Sequence, residues 1–383
     1  MLLPAHLRRN RLRSALTAAS VAVAVFLFCL LRTVVTSIDA TVTNASSSRV
    51  VTSSAVSLFV NLPVSVGEKI RSVEGVRAVT HWTWFGGIYQ DPKNFFAQFA
   101  TDVPTLRDVY GDRRPGGAIF VVPPDQWEAF EGERRACMIG RDLAEMHGFR
   151  TGDTIPLTGT IYPGDFAFTV RAIYTVANPA FDQMTMFFHW KYLDEMSGGL
   201  GSVSTFTADL ASPDLAPRVQ ASVDAMFESS PNRCITLTEQ AFNAQFVSMW
   251  GNYTLLLSFI GGAVIVAAFM VTLNTLLLNA RERVAEVGVL KTLGFPDASV
   301  GILLLAEGVL LCGLGGAAGV GIAKLLEPGL QGMLKMFVPT FTILPSTVAA
   351  GVGIALVLGI VSGAVPGAMA ARIPLVKALR RVG

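Results

Sequence analysis

This chain of 383 residues is short of charge, of histidine and of cysteine. Charged residues make up 15% of it, against about 25% in ordinary soluble domains. Such a composition excludes a disordered chain, a collagen-like chain and a strongly basic nucleic-acid binder. Three of the four histidines, His81, His147 and His189, fall in one region at no metal-ligand spacing. HExxH, CxxC and GxSxG are all missing, which removes the commonest zinc, dithiol and serine-nucleophile chemistry. GxxxxGKS/T is missing too. Gly316–Lys324 holds glycines and a lysine, but at the wrong spacing, so no nucleotide-binding loop of that kind is present. No catalytic residue, metal site or cofactor is expected. Of the four cysteines, Cys29 and Cys312 lie in apolar runs. Cys137 and Cys234 could pair in an oxidising compartment. Cys137 sits in the apolar run Ala136-Cys137-Met138-Ile139, so a free buried thiol is the preferred reading.

What is abundant is apolar sequence: 51% of residues are hydrophobic and the mean hydropathy is +0.51. From Ser14 to Leu31 there are 18 uncharged residues between Arg13 and Arg32. At 1.5 Å per residue that is about 27 Å, enough for a bilayer core. The run is too long for a cleaved leader and Thr43-Asn44-Ala45 is a poor cleavage site, so a retained anchor is expected. Three further spans are expected at 250–280, 298–326 and 346–371, after a first at 14–38. Basic residues set the orientation. Arg8, Arg9, Arg11 and Arg13, then Arg281, Arg283 and Lys291, then Arg372, Lys377, Arg380 and Arg381 all fall on one side of four spans. That side should be the cytoplasm, with both termini (1–13 and 372–383) and a short loop (281–297). Residues 39–249 should lie outside, as should the short loop 327–345. This outer region carries 16 Lys+Arg against 23 Asp+Glu, whereas the remainder carries 14 against 5. A mildly acidic domain thus sits in a basic, apolar frame.

The outer region reads as α+β. Arg49–Val60 is rich in strand formers, Ser65 can cap a helix with Glu68 three residues on, and Val76–Trp84 alternates as a strand. The pattern returns as strand, helix and strand over 202–237. Residues 39–90 and 201–249 therefore form one α+β subdomain, and 91–200 a mainly β insertion with turns at Gly152-Asp153 and Pro163-Gly164-Asp165. The aromatics Phe95, Phe96 and Phe99, and Phe181, Phe187, Phe188 and Trp190, read as core, with a hydrophobic substrate surface as the weaker alternative.

The loop between spans two and three carries the strongest signal. It runs Arg281-Glu282-Arg283-Val284-Ala285-Glu286-Val287-Gly288-Val289-Leu290-Lys291-Thr292-Leu293-Gly294. Apolar residues recur at 284, 287, 290 and 293, a helical spacing, and Gly294 with Pro296 stops the helix. Asp297 can cap the next one. Either this helix is a connector lying in the lipid headgroups, or its stripe enters a groove on a cytoplasmic partner. The stretch resembles the signature of the FtsX-like permeases of ABC transporters. So do the basic run Leu7–Ser14, Glu307 near the start of span three, and the ending with Pro366, Ala371-Arg372, Pro374 and Ala378-Leu379-Arg380. The outer region, with Ile139-Gly140-Arg141-Asp142-Leu143-Ala144 before Gly148 and Gly152-Asp153, is similar to the periplasmic domains of MacB and the lipoprotein-releasing LolC/LolE permeases.

The resemblance implies a membrane subunit of an ABC transporter in the bacterial inner membrane, with a porter-like α+β periplasmic domain. It implies a separate ATPase subunit as partner, a second permease copy or paralogue, and a periplasmic adaptor as a further candidate, but no nucleic acid. The residues expected at the ATPase are Arg281, Glu282, Arg283, Val284, Glu286, Val287, Gly288, Leu290, Lys291 and Gly294. Glu307, an ionisable group within a span, is an intramembrane functional candidate. The cargo of such a mechanotransmitter is a lipid, lipoprotein, peptide or drug. The rival reading is a cargo-free signalling protein that senses a ligand or controls a cell-wall hydrolase.

Overall fold

A computed structural model describes residues 11–178, 181–249, 251–282, 284–334 and 340–372; of residues 11, 285 and 286 only the backbone is described. In chain order the elements are α1 (Arg11–Thr43), β1 (Arg49–Ser54), β2 (Leu62–Pro63), α2 (Ser65–Arg71), β3 (Val76–Trp84), β4 (Gln98–Thr101), α3 (Val103–Tyr110), β5 (Phe120–Val121), α4 (Pro124–Gly132), β6 (Ala136–Gly140) and α5 (Arg141–His147). There follow β7 (Thr154–Gly159), β8 (Gly164–Val176), β9 (Met186–His189), α6 (Trp190–Met196), β10 (Ser202–Val203), β11 (Thr205–Leu210), α7 (Ala216–Phe227), β12 (Cys234–Thr238) and α8 (Glu239–Ser248). Last come α9 (Tyr253–Glu282), α10 (Val284–Thr292), α11 (Asp297–Leu334) and α12 (Pro345–Ala371).

The chain divides into two units: a helical bundle, and a domain formed mainly by residues 38–251. In the bundle, α1, α9, α11 and α12 are each long and apolar enough to cross a membrane. Two of these helices clearly outrun the lengths read from hydropathy. The first begins at Arg11 and ends at Thr43, and the third continues through Pro328 to Leu334. Backbone hydrogen bonding does not stop where apolarity does. Around residue 327 the chain is tied locally: Lys324 Nζ lies 2.8 Å from a Glu327 carboxylate oxygen, whose other oxygen accepts from Ile343 N at 3.2 Å.

Small residues hold the bundle together. A Cβ on Gly319 would stand 2.4 Å from Ala22 O on α1, and one on Gly315 2.6 Å from Ala18 O. Gly359 and Gly363 meet α11 at Gly308 and Leu305, and Gly367 meets it at Gly301. The glycine repeats on α11 and α12 thus serve contacts within one chain. They surround a core of Val21, Val25, Cys29, Cys312 and Ala355. Glu307 is buried in the same helix, at 4% exposure, beside Gly308.

The interspan domain is α+β. Its principal sheet has the order β12-β1-β11-β3-β4-β9-β6-β8-β5, with β7 also on β8, and β2 pairs with β10 separately. The expected subdomain and its insertion therefore share one sheet, joined where β3 pairs antiparallel with β4. Their cores remain distinct. Val66, Ile70, Phe206, Val219 and Phe227 pack one, whereas Phe166, Phe168 and Phe188 of the insertion pack another together with Phe85. β8 alternates strictly, burying Phe166, Phe168 and Val170 in that core and Ala172 and Tyr174 in a third. One local expectation is corrected. Ser65 is the first helical residue of α2, not its cap, because Val64 stands before it and makes no side-chain capping bond.

Candidate functional site

Helix α10 joins α9 to α11 and is pinned along one side. Val287, at 4% exposure, packs with Ala280 of α9, Val300 and Leu304 of α11, and Ala370 of α12. Gly288 is buried beside it. Lys291 lies on the same side. Its Nζ donates to Ala371 O at 2.9 Å and stands 2.8 Å from Asp297 Oδ1, and its side chain is only 8% exposed. One ammonium therefore satisfies a carbonyl at the C-terminal end of α12 and pairs with a carboxylate in the first turn of α11. At its own end α10 closes as the sequence indicates. Gly294 adopts φ +90°, and Phe295 N bonds back to Leu290 O at 3.1 Å.

The opposite side is open. Val289, Leu293 and Phe295 are 50%, 71% and 47% exposed. Arg281 and Glu282 are exposed at the end of α9. There Arg13 Nη1 donates to Glu282 Oε2 at 2.8 Å and to Asn279 Oδ1 at 3.1 Å, tying α1 to the end of α9.

This geometry corrects the stripe read from the sequence. Residues 284, 287, 290 and 293 do not act as one face. Val287, Gly288 and Lys291 turn into the bundle, Leu293 turns out, and Val284 and Leu290 are intermediate. The helix carries apolar residues on both sides, so spacing alone could not say which row faced the bundle. Val289 and Phe295 were missed for the same reason. Arg283 lies outside the described residues, as do Leu7–Asn10, Pro374 and Ala378-Leu379-Arg380, and of Glu286 only the backbone is described.

Among the described residues no group of three or more His, Cys, Asp and Glu could hold a metal ion. His81 is packed against Trp190 and Phe206, and burial lowers its pKa to about 4. His189 Nε2 lies 2.6 Å from Phe130 O, and His147 stacks on Phe149. The segment Ile139–Ala144 has a structural role. A Cβ on Gly140 would stand 2.0 Å from Gln183 O, and Gly148 ends α5 at φ +72°. Beside it lies a cleft of about 740 Å³ whose lining includes Val121, Gln126, Arg141 and Arg150.

Two family models match successive parts of the chain. Residues 258–375 match the FtsX-like permease C-terminal model, and residues 14–226 match the MacB-like periplasmic core domain. The "Probable export ATP-binding/permease protein MacB" of Pseudomonas entomophila is 33% identical over 131 residues, covering 33% of this chain and 19% of that protein. The "Macrolide export ATP-binding/permease protein MacB" of Campylobacter fetus subsp. fetus is 29% identical over 112 residues, covering 28% of this chain and 17% of that protein. The matched segment is thus about a fifth of each relative's length. The crystal structure of the periplasmic region of MacB from Actinobacillus actinomycetemcomitans aligns with 52% of this chain and 92% of its own, at a TM-score of 0.37 and 6% identity. With the two family models matching residues 14–226 and 258–375, the chain belongs to the FtsX-like permeases, in the branch whose domain between spans one and two is a MacB-like periplasmic core.

Proposed function

We propose that the chain is the permease subunit of an ABC transporter in the bacterial inner membrane. It converts ATP hydrolysis in a separate ATPase subunit into movement of its extracytoplasmic domain, which expels or hands on a lipid, lipoprotein, peptide or drug. Two permeases, identical or paralogous, act over two ATPases. The carrying observation is α10. One side is locked to three spans through Val287 and Lys291, while the other offers Val289, Leu293 and Phe295 to a partner. A force applied to the open side passes directly to the ends of α11 and α12. In this reading Arg281, Glu282, Val289, Leu293 and Phe295 touch the ATPase, and Lys291, Val287 and Gly288 make the lever rigid.

Co-purification of the ATPase with single variants separates the two sides. Leu293→Asp should weaken ATPase capture about ten-fold or more, equivalent to ~1.4 kcal/mol, while the purified permease melts as wild type. Val287→Asp should lower the stability of the permease itself, because it buries an unpaired charge. Full ATPase retention by a Leu293→Asp, Phe295→Asp double variant overturns the docking assignment. A cysteine at Leu293 should label from the cytoplasmic side and one at Asp125 from outside; the reverse pattern overturns the orientation.

A further inference from the structure

Within the interspan domain, its first and last segments meet at one buried carboxylate. Glu239 opens α8, which leads towards α9, and Arg49 opens β1, which follows α1. They are 190 residues apart in sequence. Arg49 Nε and Nη2 donate to Glu239 Oε2 at 3.0 and 2.5 Å, and Ser46 N donates to the same oxygen at 2.9 Å. The other oxygen, Oε1, accepts from Tyr110 OH at 3.0 Å. Tyr110 ends α3, which lies within the insertion. The Arg49 guanidinium also sits 4.9 Å from the centre of the Tyr110 ring. Arg49 is 2% exposed, Tyr110 6% and Glu239 8%, so the cluster is buried.

We propose that Glu239 is the positioning residue through which displacement at either span crossing reaches the insertion. The inference deepens the proposed function, on which its biological purpose rests. The chemistry favours a junction over ordinary packing. A buried carboxylate needs its charge answered, and here the donors come from two other chain segments, Ser46 and Arg49 from one and Tyr110 from the other. None can move away without leaving the other charges exposed to a low-dielectric surrounding. Burial first, and the Glu239 charge second, push the Tyr110 hydroxyl far above its usual range, so it remains a donor at physiological pH. From Tyr110 the path continues through aromatic contacts. Its ring stacks on Phe120 at 5.2 Å, and Phe120 meets Tyr174 at 4.8 Å and Phe187 at 5.3 Å, in the second core of the insertion.

The test is amide hydrogen exchange on the full chain in lipid nanodiscs. Glu239→Gln keeps the shape and removes the charge. It should accelerate exchange about ten-fold or more in three segments together, 44–54, 103–111 and 234–248, and leave 65–71, which packs in a different core from Tyr110, unchanged. Acceleration confined to 234–248 overturns the inference. Tyr110→Phe should accelerate 103–111 alone; an equal change in 44–54 or 234–248 also overturns it. If Glu239→Gln fails to fold, Tyr110→Phe still decides. With the ATPase present, Glu239→Gln should keep ATPase binding and ATP turnover but lose any ATP-dependent change in 103–111. Retention of that change counts against the role. The first arm needs no ATPase, so a permease that binds none would defeat the proposed function and leave this result standing.

Discussion

The bundle and the interspan domain are packed by opposite means. The domain fills its cores with large rings: Phe85, Phe166, Phe168 and Phe188 are each buried to 2% exposure or less and meet at centroid distances of 4.5 to 6.2 Å. The bundle does the reverse, and brings backbones together at Gly301, Gly308, Gly315, Gly319, Gly359 and Gly367. The difference follows from the solvent. In water, taking a ring out of contact is itself favourable. In lipid an apolar side chain gains little by leaving one hydrocarbon for another, so close approach and dispersion must hold the helices. The comparison also singles out α9, the least buried of the spans, whose Leu255, Leu256, Phe259 and Met270 are all exposed.

The contrast breaks most severely at glycine. Gly319→Leu places a side chain where Ala22 O stands 2.4 Å from the position of a bare Cβ, and backbone cannot yield as a side-chain end can. Overpacking costs ~1–3 kcal/mol even where side chains can give, and here the helices must separate. Loss of the monodisperse peak in size-exclusion chromatography in detergent is expected. Gly321→Leu, two residues on, faces open space and should elute as wild type. Similar behaviour of the two variants would show that α1 and α11 do not pack through glycine.

Next in size is the aromatic core. Phe168→Ala removes a fully buried ring that touches Phe85, Phe188 and Tyr192, and should cost about 3–5 kcal/mol. Denaturant unfolding of the full chain, followed by tryptophan fluorescence, should show an earlier transition of the domain while the bundle keeps its helical signal. A loss of both together would mean that the two units do not unfold separately.

The same contrast explains what could be read in advance. Spans announce themselves through a run of apolar residues, and β8 through strict alternation, so the architecture and the α+β character were legible. The turn glycines Gly148, Gly152 and Gly294 were legible because positive φ favours glycine, and the structure gives them φ of +72°, +101° and +90°. The facing of α10 was not, because both of its sides are apolar and only the neighbouring helices decide. The Arg49–Glu239 junction was invisible for a different reason. No local pattern links two residues so far apart, and an isolated Arg and Glu each read as surface.

A smaller effect comes from His81, which the domain keeps neutral in its core. Its folded pKa is lowered to about 4 by burial, partly opposed by Asp102, against 6.5 for the free side chain. Between these values the unfolded chain binds a proton that the folded chain does not. Stability is therefore full above pH 6.5 and falls as the pH drops towards 4, by up to about 3 kcal/mol. His147 and His189 are shifted in the same direction, so some acid sensitivity should survive without His81. In thermal melts from pH 7 to pH 4 the wild type should lose more melting temperature than His81→Leu as the pH falls. Parallel curves would mean that His81 is not kept neutral.

The smallest effect expected is none at all, and it uses a cysteine pair in each region. All four cysteines are free and buried. Cys137 sits in the core with Phe85 and Phe188, Cys234 in that with Phe206 and Phe227, so no disulfide joins the two cores. Burial pushes the Cys137 thiol up strongly and that of Cys234 to about 11, which leaves almost no thiolate at neutral pH. Reductant should therefore leave the melting temperature and the mobility on a non-reducing gel unchanged. Maleimide should label none of the four quickly in the folded protein, with Cys234, at 9% exposure, the first to react. Cys29 and Cys312 lie fully buried in the bundle core. If ring packing in water and glycine packing in detergent are separate sources of stability, guanidinium should expose the domain pair before the bundle pair. Simultaneous labelling of all four would make the molecule a single cooperative unit, and the distinction between its two regions would then be one of composition alone.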